Sequence, residues 1–280
     1  MGRKLTAAAM AVLAAAMTAA LLSGCLAARR FGTTAPADPP RGEKIPAVFE
    51  TPAKEREVIP ETAEPNAADA QDGSACVKVT GGSLRYSNEY INVDVSYPVI
   101  SGLADEAMQR DLNARIFSDL KSAAERIEAD SRGCGEAQQY YYEARFEVMR
   151  NDGAILSIRE ETCYWDGGAQ ETAGSMFINC LNTMPGRALS LPDLFLSGAD
   201  YAGRLNGAIE KAIGSGPDAD DYSFSGVSGE TGFYIGADAL GIVFEMCSIA
   251  PSTMGEPEFR VPLSELQDML IPQIARGGGA

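Results

Sequence analysis

Seven prolines crowd one stretch of the chain: Pro36, Pro39, Pro40, Pro46, Pro52, Pro60 and Pro65, set among alanine, glutamate and threonine. Such a segment has too little apolar surface to offset the entropy lost on ordering it, and each proline lacks the amide that a helix or strand would use. The composition predicts a disordered linker over residues 25–73. What folds must come from residues 74–275, roughly 200 residues, enough for one large domain or two intimate ones. A division near residue 195 would give parts of 74–195 and 196–275.

Upstream lies Arg3-Lys4, then a run from Ala7 to Leu22, then Leu22-Ser23-Gly24-Cys25. A basic start, a short apolar segment and small residues describe a secretory leader over residues 1–24. The run has about 16 residues, short of the roughly 20 that span a bilayer. The Leu-Ser-Gly-Cys ending resembles a bacterial lipobox, in which the cysteine is diacylated and becomes the new N-terminus. Two acyl chains tether a protein stably where one does not. The expectation is a lipoprotein held at the extracytoplasmic face of the cell membrane through Cys25.

The chain carries a net charge of −16 and no histidine. Losing Arg3 and Lys4 with the leader would make it two units more negative. Phosphate backbones need clustered lysine and arginine, so nucleic acid is excluded as a partner. A cationic partner would gain a raised on-rate; the alternative is that the acidity only keeps a secreted domain soluble. The missing histidine removes Ser-His-Asp and Cys-His catalysis and histidine-ligated zinc. No pattern calls for a metal or a cofactor, and no catalytic constellation is assigned.

Five cysteines follow Cys25: Cys76, Cys134, Cys163, Cys180 and Cys247. An oxidising compartment permits disulfides, and an odd number leaves at least one thiol over. Cys163 and Cys180 flank a turn near Gly167–Gly174 and are the candidate pair; buried thiols acting as small hydrophobes are the alternative.

Periodicity predicts an α+β fold, with antiparallel sheet packed by two main helices and a short C-terminal helix. Met108, Leu112, Ile116, Leu120, Ala124 and Ile127 share one face of a helix over 103–127. Leu205, Ile209 and Ile213 mark a second over 200–213, stopped by Gly214-Ser215-Gly216-Pro217. Residues 77–79, 90–97, 140–150, 154–164, 176–181, 232–235 and 240–246 read as strands, with a hairpin at Asn151-Asp152-Gly153. Leu263–Ile271 reads as the terminal helix, ended by Pro272. Leu112-Asn113-x-x-Ile116 echoes Leu205-Asn206-x-x-Ile209, each in mid-helix.

Five phrases in order carry a family resemblance: Ser96-Tyr97-Pro98-Val99-Ile100-Ser101-Gly102-Leu103; Ile155-Leu156-Ser157-Ile158 leading to Tyr164-Trp165-Asp166-Gly167-Gly168-Ala169; Leu189-Ser190-Leu191-Pro192-Asp193-Leu194-Phe195; Ile249-Ala250-Pro251; and Glu258-Phe259-Arg260-Val261-Pro262. Together they resemble the paired extracytoplasmic domains of unknown function (DUF 4163 / DUF 3298 type) of the anti-sigma factor RsiV. A related pair precedes the catalytic part of the deacetylase PdaC. The likeness spans most of residues 90–270. It implies an α+β recognition domain and, because that region of RsiV binds lysozyme, a lysozyme-like cationic protein or a cell-wall component as partner. Members often have histidine after Gly-Gly-Ala, where this chain has Gln170. Neither a sigma-binding segment nor a deacetylase part is expected here.

The candidate binding loop is Tyr164, Trp165, Asp166, Gly167, Gly168 and Gln170. It holds the sole tryptophan, and Trp and Tyr are favoured interface anchors. The alternative is a tight turn that needs the two glycines. The competing function is a cell-wall glycan enzyme, or an accessory subunit of one, using two of Glu160, Glu161, Asp166 and Glu171. Glu160 and Glu161 point to opposite faces of a strand and cannot form that pair. Asp218, Asp220 and Asp221 hint at calcium, but Tyr222 and Gly229 stand where an EF-hand needs ligands.

Overall fold

Asp105 starts the longest helix. In the computed structural model its carboxylate accepts from the amides of Ala107 and Met108 at 3.0 and 3.1 Å, satisfying donors that a helix start leaves over. Helix α1 runs Glu106–Gly133, so the residues just before the cap stay outside it. Ile116, Leu120, Ala124 and Ile127 form its buried stripe. Asp200 does the same for α2, Tyr201–Ser215, accepting from Gly203 at 2.9 Å. The structure describes residues 77–134, 139–166 and 172–275. The leader, the linker, Cys25, Cys76, Gly167, Gly168, Gln170 and Glu171 lie outside them. Among the described residues no helix is long and apolar enough to cross a membrane.

Six strands form the first sheet in sequence order: β1 Lys78–Ser87, β2 Ile91–Ser101, β3 Tyr140–Asn151, β4 Ile155–Trp165, β5 Thr172–Leu181 and β6 Arg187–Ala188. The first strand is far longer than the 77–79 read from sequence. Antiparallel pairing holds for every neighbour but one. β2 and β3 are parallel, because α1 intervenes and returns the chain to the same end. That parallel pairing covers only Ile91–Val95 of β2. Pro98 lies beyond it, where the strand edge away from β1 needs no ladder donor.

The second sheet is an antiparallel meander of β7 Gly232–Ile235, β8 Ala239–Val243 and β9 Glu258–Pro262. Two apolar cores result. One lies between α1 and the first sheet and holds Ile91, Val95, Ile116, Leu120, Tyr142, Leu156, Ile158 and Cys180. The other gathers α2, the second sheet and the C-terminal turns around Leu194, Leu205, Ile209, Leu240, Ile242 and Leu266, with Ile155 and Leu181 of the first sheet. β4 therefore has both faces buried from Ile155 to Ile158, which explains its continuous apolar start.

The expected helix over Leu263–Ile271 is not formed. Leu263–Glu265 makes a single 3-10 turn, and Leu270 bridges to Phe195. The amide of Ile271 donates to the Leu194 carbonyl at 2.9 Å, a bond that a helix would redirect inward. Pro272 begins rather than ends a helical turn, α3 at Pro272–Ala275, consistent with a proline whose missing amide costs nothing at a first position. Leu263, Leu266, Leu270 and Ile274 are buried all the same: apolar spacing reported burial correctly and helix wrongly.

Candidate functional site

Alternation along β3, β4 and β5 sorts their side chains onto two faces. One meets α1. On the other, Glu143, Cys163 and Ala173 form one row, and Arg145, Glu161 and Ser175 the next. Gly232 reaches Phe177, and Glu256 and Glu258 reach Arg159 opposite it; past that row the second face opens. The result is an open groove of about 350 Å³ lined by Glu143, Arg145, Arg159, Glu161, Thr162, Cys163, Ala173, Gly174 and Glu256. Ala173 contributes only a methyl group to the groove floor.

Arg159 ties the groove together. Its side chain is 13% exposed, with Nη1 2.7 Å from Glu258, Nη2 3.2 Å from Glu161 and 3.6 Å from Glu256. Its Nε donates to Ser175 Oγ at 3.1 Å, and Ser175 donates to Glu256 at 2.6 Å. Tyr234 donates to the remaining oxygen of Glu258. Arg145 holds the other bank, pairing with Asp94 at 2.7 Å and Glu143 at 2.9 Å. Arg85 and Arg145 keep the Asp94 carboxyl below its ordinary value. Burial pushes the Glu256 carboxyl up, partly offset by Ser175 and Arg159. Carboxylates outnumber guanidinium groups in the lining, three to two. Glu161 keeps 63% of its side chain exposed.

The expected loop residues divide. Trp165 lies on β4 on the groove face, two positions past Cys163 and opposite Tyr141 of β3, and is 38% exposed. Asp166 is exposed. Tyr164 turns the other way and packs half-buried against the α1 core. Glu160 and Glu161 do not meet. Glu161 faces the groove, whereas Glu160 is fully buried on the opposite face between Phe146 and Met176. Asp218, Asp220 and Asp221 sit on an exposed turn.

The proposed disulfide is not formed. Cys163 stands opposite Ala173 and Cys180 opposite Leu156, so the cysteines are seven register steps apart. At about 3.3 Å per residue that is roughly 23 Å, against the ~4–7 Å between Cα atoms that a bridge spans. The pairing of β4 with β5 is centred three to four positions earlier in the chain than the expectation required. Cys180 is a buried free thiol, and burial pushes its pKa up to about 11.

Sequence reasoning missed Arg145, Arg159, Glu143, Glu256 and Glu258. Arg145 stands across from Glu161 and Glu147 across from Arg159, an alternation of charge on one strand face, but a bulge between Val148 and Arg150 sets that register and the Asn151-Asp152-Gly153 turn alone does not give it. The carboxylates of Glu256 and Glu258 arrive from a distant segment and carried no such signal.

Residues 84–171 match the family described as Deacetylase PdaC, and residues 192–264 match the protein of unknown function family DUF3298. The chain carries a PdaC domain followed by a DUF3298 domain. Glu143, Arg145, Arg159, Glu161 and Cys163 belong to the PdaC segment and Glu256 to the DUF3298 segment, so the groove is built where the two meet. A crystal structure of a DUF3298 family protein from Pseudomonas aeruginosa is similar at 17% identity and a TM-score of 0.51, over 71% of this chain and 95% of that one. Another DUF3298 member, from Bacteroides fragilis, is similar at 16% identity and a TM-score of 0.50, over 74% and 99%. At these identities the likeness is one of fold. No curated protein matches the chain.

Proposed function

We propose that this PdaC–DUF3298 chain is a non-enzymatic recognition protein, anchored by a lipid on Cys25 at the outer face of the cell membrane, whose ligand is a cationic cell-wall-active protein of the lysozyme kind. The observation that carries the reading is the groove. It is open, lined with more carboxylate than guanidinium, and flanked on the same strand face by the half-exposed Trp165. An interface with a basic protein needs those parts: an aromatic anchor beside a field of opposite sign. The net charge of −16 attracts the same partner from a distance. The family resemblance supplies lysozyme as the first partner to try. The separation of Glu160 from Glu161 weighs against a glycan-cleaving pair on this strand.

The test is direct. Purified protein should bind immobilised lysozyme with an affinity that falls as salt rises, and E161Q with W165A should weaken it at least tenfold. No binding at low ionic strength would reject the partner. Mass spectrometry of the membrane-extracted protein should find a diacylated N-terminal Cys25; an intact leader would reject the anchor.

A further inference from the structure

Glu160 is the least ordinary residue of the fold. It is 0% exposed, and neither carboxylate oxygen has a hydrogen-bond partner. A buried carboxyl without a partner is costly as an acid and far more costly as an anion. Its surroundings offer little relief. On its own face of the sheet it stands between Phe146 of β3 and Met176 of β5, both packed into the α1 core. The ionisable side chains in that core are Tyr86, Tyr97, Tyr140, Tyr142, Tyr164 and Cys180; of these Tyr142 of β3 feels the Glu160 charge, and Arg126 of α1 acts on Tyr142. Burial alone raises the Glu160 carboxyl to about 8.

Its place in the chain makes this consequential. Glu160 lies between Arg159 and Glu161, which face the groove from the other side of β4. A strand cannot move one residue toward solvent without moving its two neighbours.

We propose that Glu160 makes the groove proton-sensitive: while its carboxyl is neutral, α1 stays packed on β4 and Arg159 and Glu161 keep their positions, and when the proton leaves to solvent the carboxylate draws β4 away from α1 and displaces both. The proposal rests on the reading of the groove as the recognition site. The sign follows from linkage. The native carboxyl is pushed up to about 8, and the unfolded one releases its proton near the ordinary glutamate value of 4.5. Between those values the unfolded state binds fewer protons, so the folded-to-unfolded ratio falls about tenfold per pH unit and levels off above.

The experiment compares the full chain with E160Q and E160M. Without any partner, urea midpoints are taken from pH 5 to 9.5, with Trp165 fluorescence followed in the same buffers. The wild type should lose stability relative to E160Q from pH 5 to pH 8 and then plateau, and its native fluorescence should change near pH 8, a change absent from both variants. Lysozyme affinity at constant salt should drop at least tenfold between pH 7 and 9 for the wild type and stay level for E160Q. A wild type and E160Q that change in parallel, in the absence of lysozyme, would overturn the proposal. Lysozyme that binds neither protein at any pH would overturn the groove reading and leave the fluorescence and stability result to decide the Glu160 device alone.

Discussion

The carboxamide of Asn113 brackets the backbone of Ile100: its Oδ1 accepts from the Ile100 amide and its Nδ2 donates to the Ile100 carbonyl, both at 2.8 Å. Ile100 lies on β2 past the point where β3 stops pairing with it, so a side chain of α1 completes a sheet edge that no strand covers. The same device recurs. Asn151 accepts from the Val77 amide at 3.2 Å and donates to its carbonyl at 2.6 Å. The echoed Asn206 of α2 accepts from Val227 at 2.8 Å. The two helices that share the Leu-Asn-x-x-Ile pattern thus use their asparagine in related ways, each fastening a neighbouring segment to the helix.

N113L keeps the bulk and removes both bonds, leaving the Ile100 amide and carbonyl partly buried without partners. The expected cost is about 2–4 kcal/mol, the penalty for two orphaned polar groups. A urea midpoint shift at unchanged m-value measures it. N113D should fall between, since it keeps the acceptor and sets an anion against the Ile100 carbonyl. A midpoint equal to wild type in N113L would show that water replaces the carboxamide.

The seam between the two sheets is equally polar. Ser157 and Asn179 are buried; Ser157 Oγ donates to Asn179 Oδ1 at 2.6 Å and accepts from the Ile235 amide at 2.9 Å, while Asn179 Nδ2 donates to the Phe233 carbonyl at 2.8 Å. These side chains serve the edge of β7 that β8 leaves open. S157A strips the acceptor from Ile235 and the donor from Asn179 at once, and should cost about 2–3 kcal/mol. Hydrogen exchange should locate the loss: the Ile235 amide should lose protection while those of β1 and β2 keep theirs.

These contacts mark the boundary of what the sequence discloses. Apolar alternation and helical spacing located α1, α2 and most strands, because the pattern states which face is buried wherever a single face is buried. It failed where a polar side chain replaces a strand, as at Asn113 and Ser157, since that role depends on which edge comes near in space. It failed at Leu263–Ile271, where helical spacing serves successive turns. The burial of Glu160 was legible in Leu156, Ile158 and Tyr164, which share its face and turn inward. Trp165 was placed on the recognition surface from residue type alone. The groove floor beside it needed the register of three strands, and its acidic wall needed residues nearly a hundred positions away.

Arg159 and Glu256 predict a stability loss that depends on pH. R159M leaves Glu256, with 11% of its side chain exposed, without its cation. The Glu256 carboxyl is already pushed up by burial, and losing Arg159 raises it further. A folded carboxyl raised above its unfolded value disfavours folding progressively as pH rises between the two. The variant should therefore lose about 3 kcal/mol at pH 8, the range for breaking a buried pair, and distinctly less at pH 5, where Glu256 can take up a proton. Paired denaturation curves at the two pH values decide it; equal losses would place the role of Arg159 in packing alone.

Thiol chemistry tests the strand register that separates Cys163 from Cys180. Cys180 is 1% exposed and its thiol is pushed up to about 11 by burial, so at pH 8 it is neither reachable nor ionised. Cys134 and Cys247 are exposed. The thiolate is the reactive form, and access decides the rest. Alkylation of the native protein followed by peptide mapping should label Cys134 and Cys247 and spare Cys180 until denaturant is added. L156A should make Cys180 reactive under native conditions, because Leu156 is its cross-strand neighbour and truncation opens a cavity beside the sulfur. Recovery of Cys180 in a non-reduced digest joined to the peptide of Cys163 would mean that β4 and β5 pair seven positions out of the register described, and with it the row of Glu143, Cys163 and Ala173 that floors the groove would be lost.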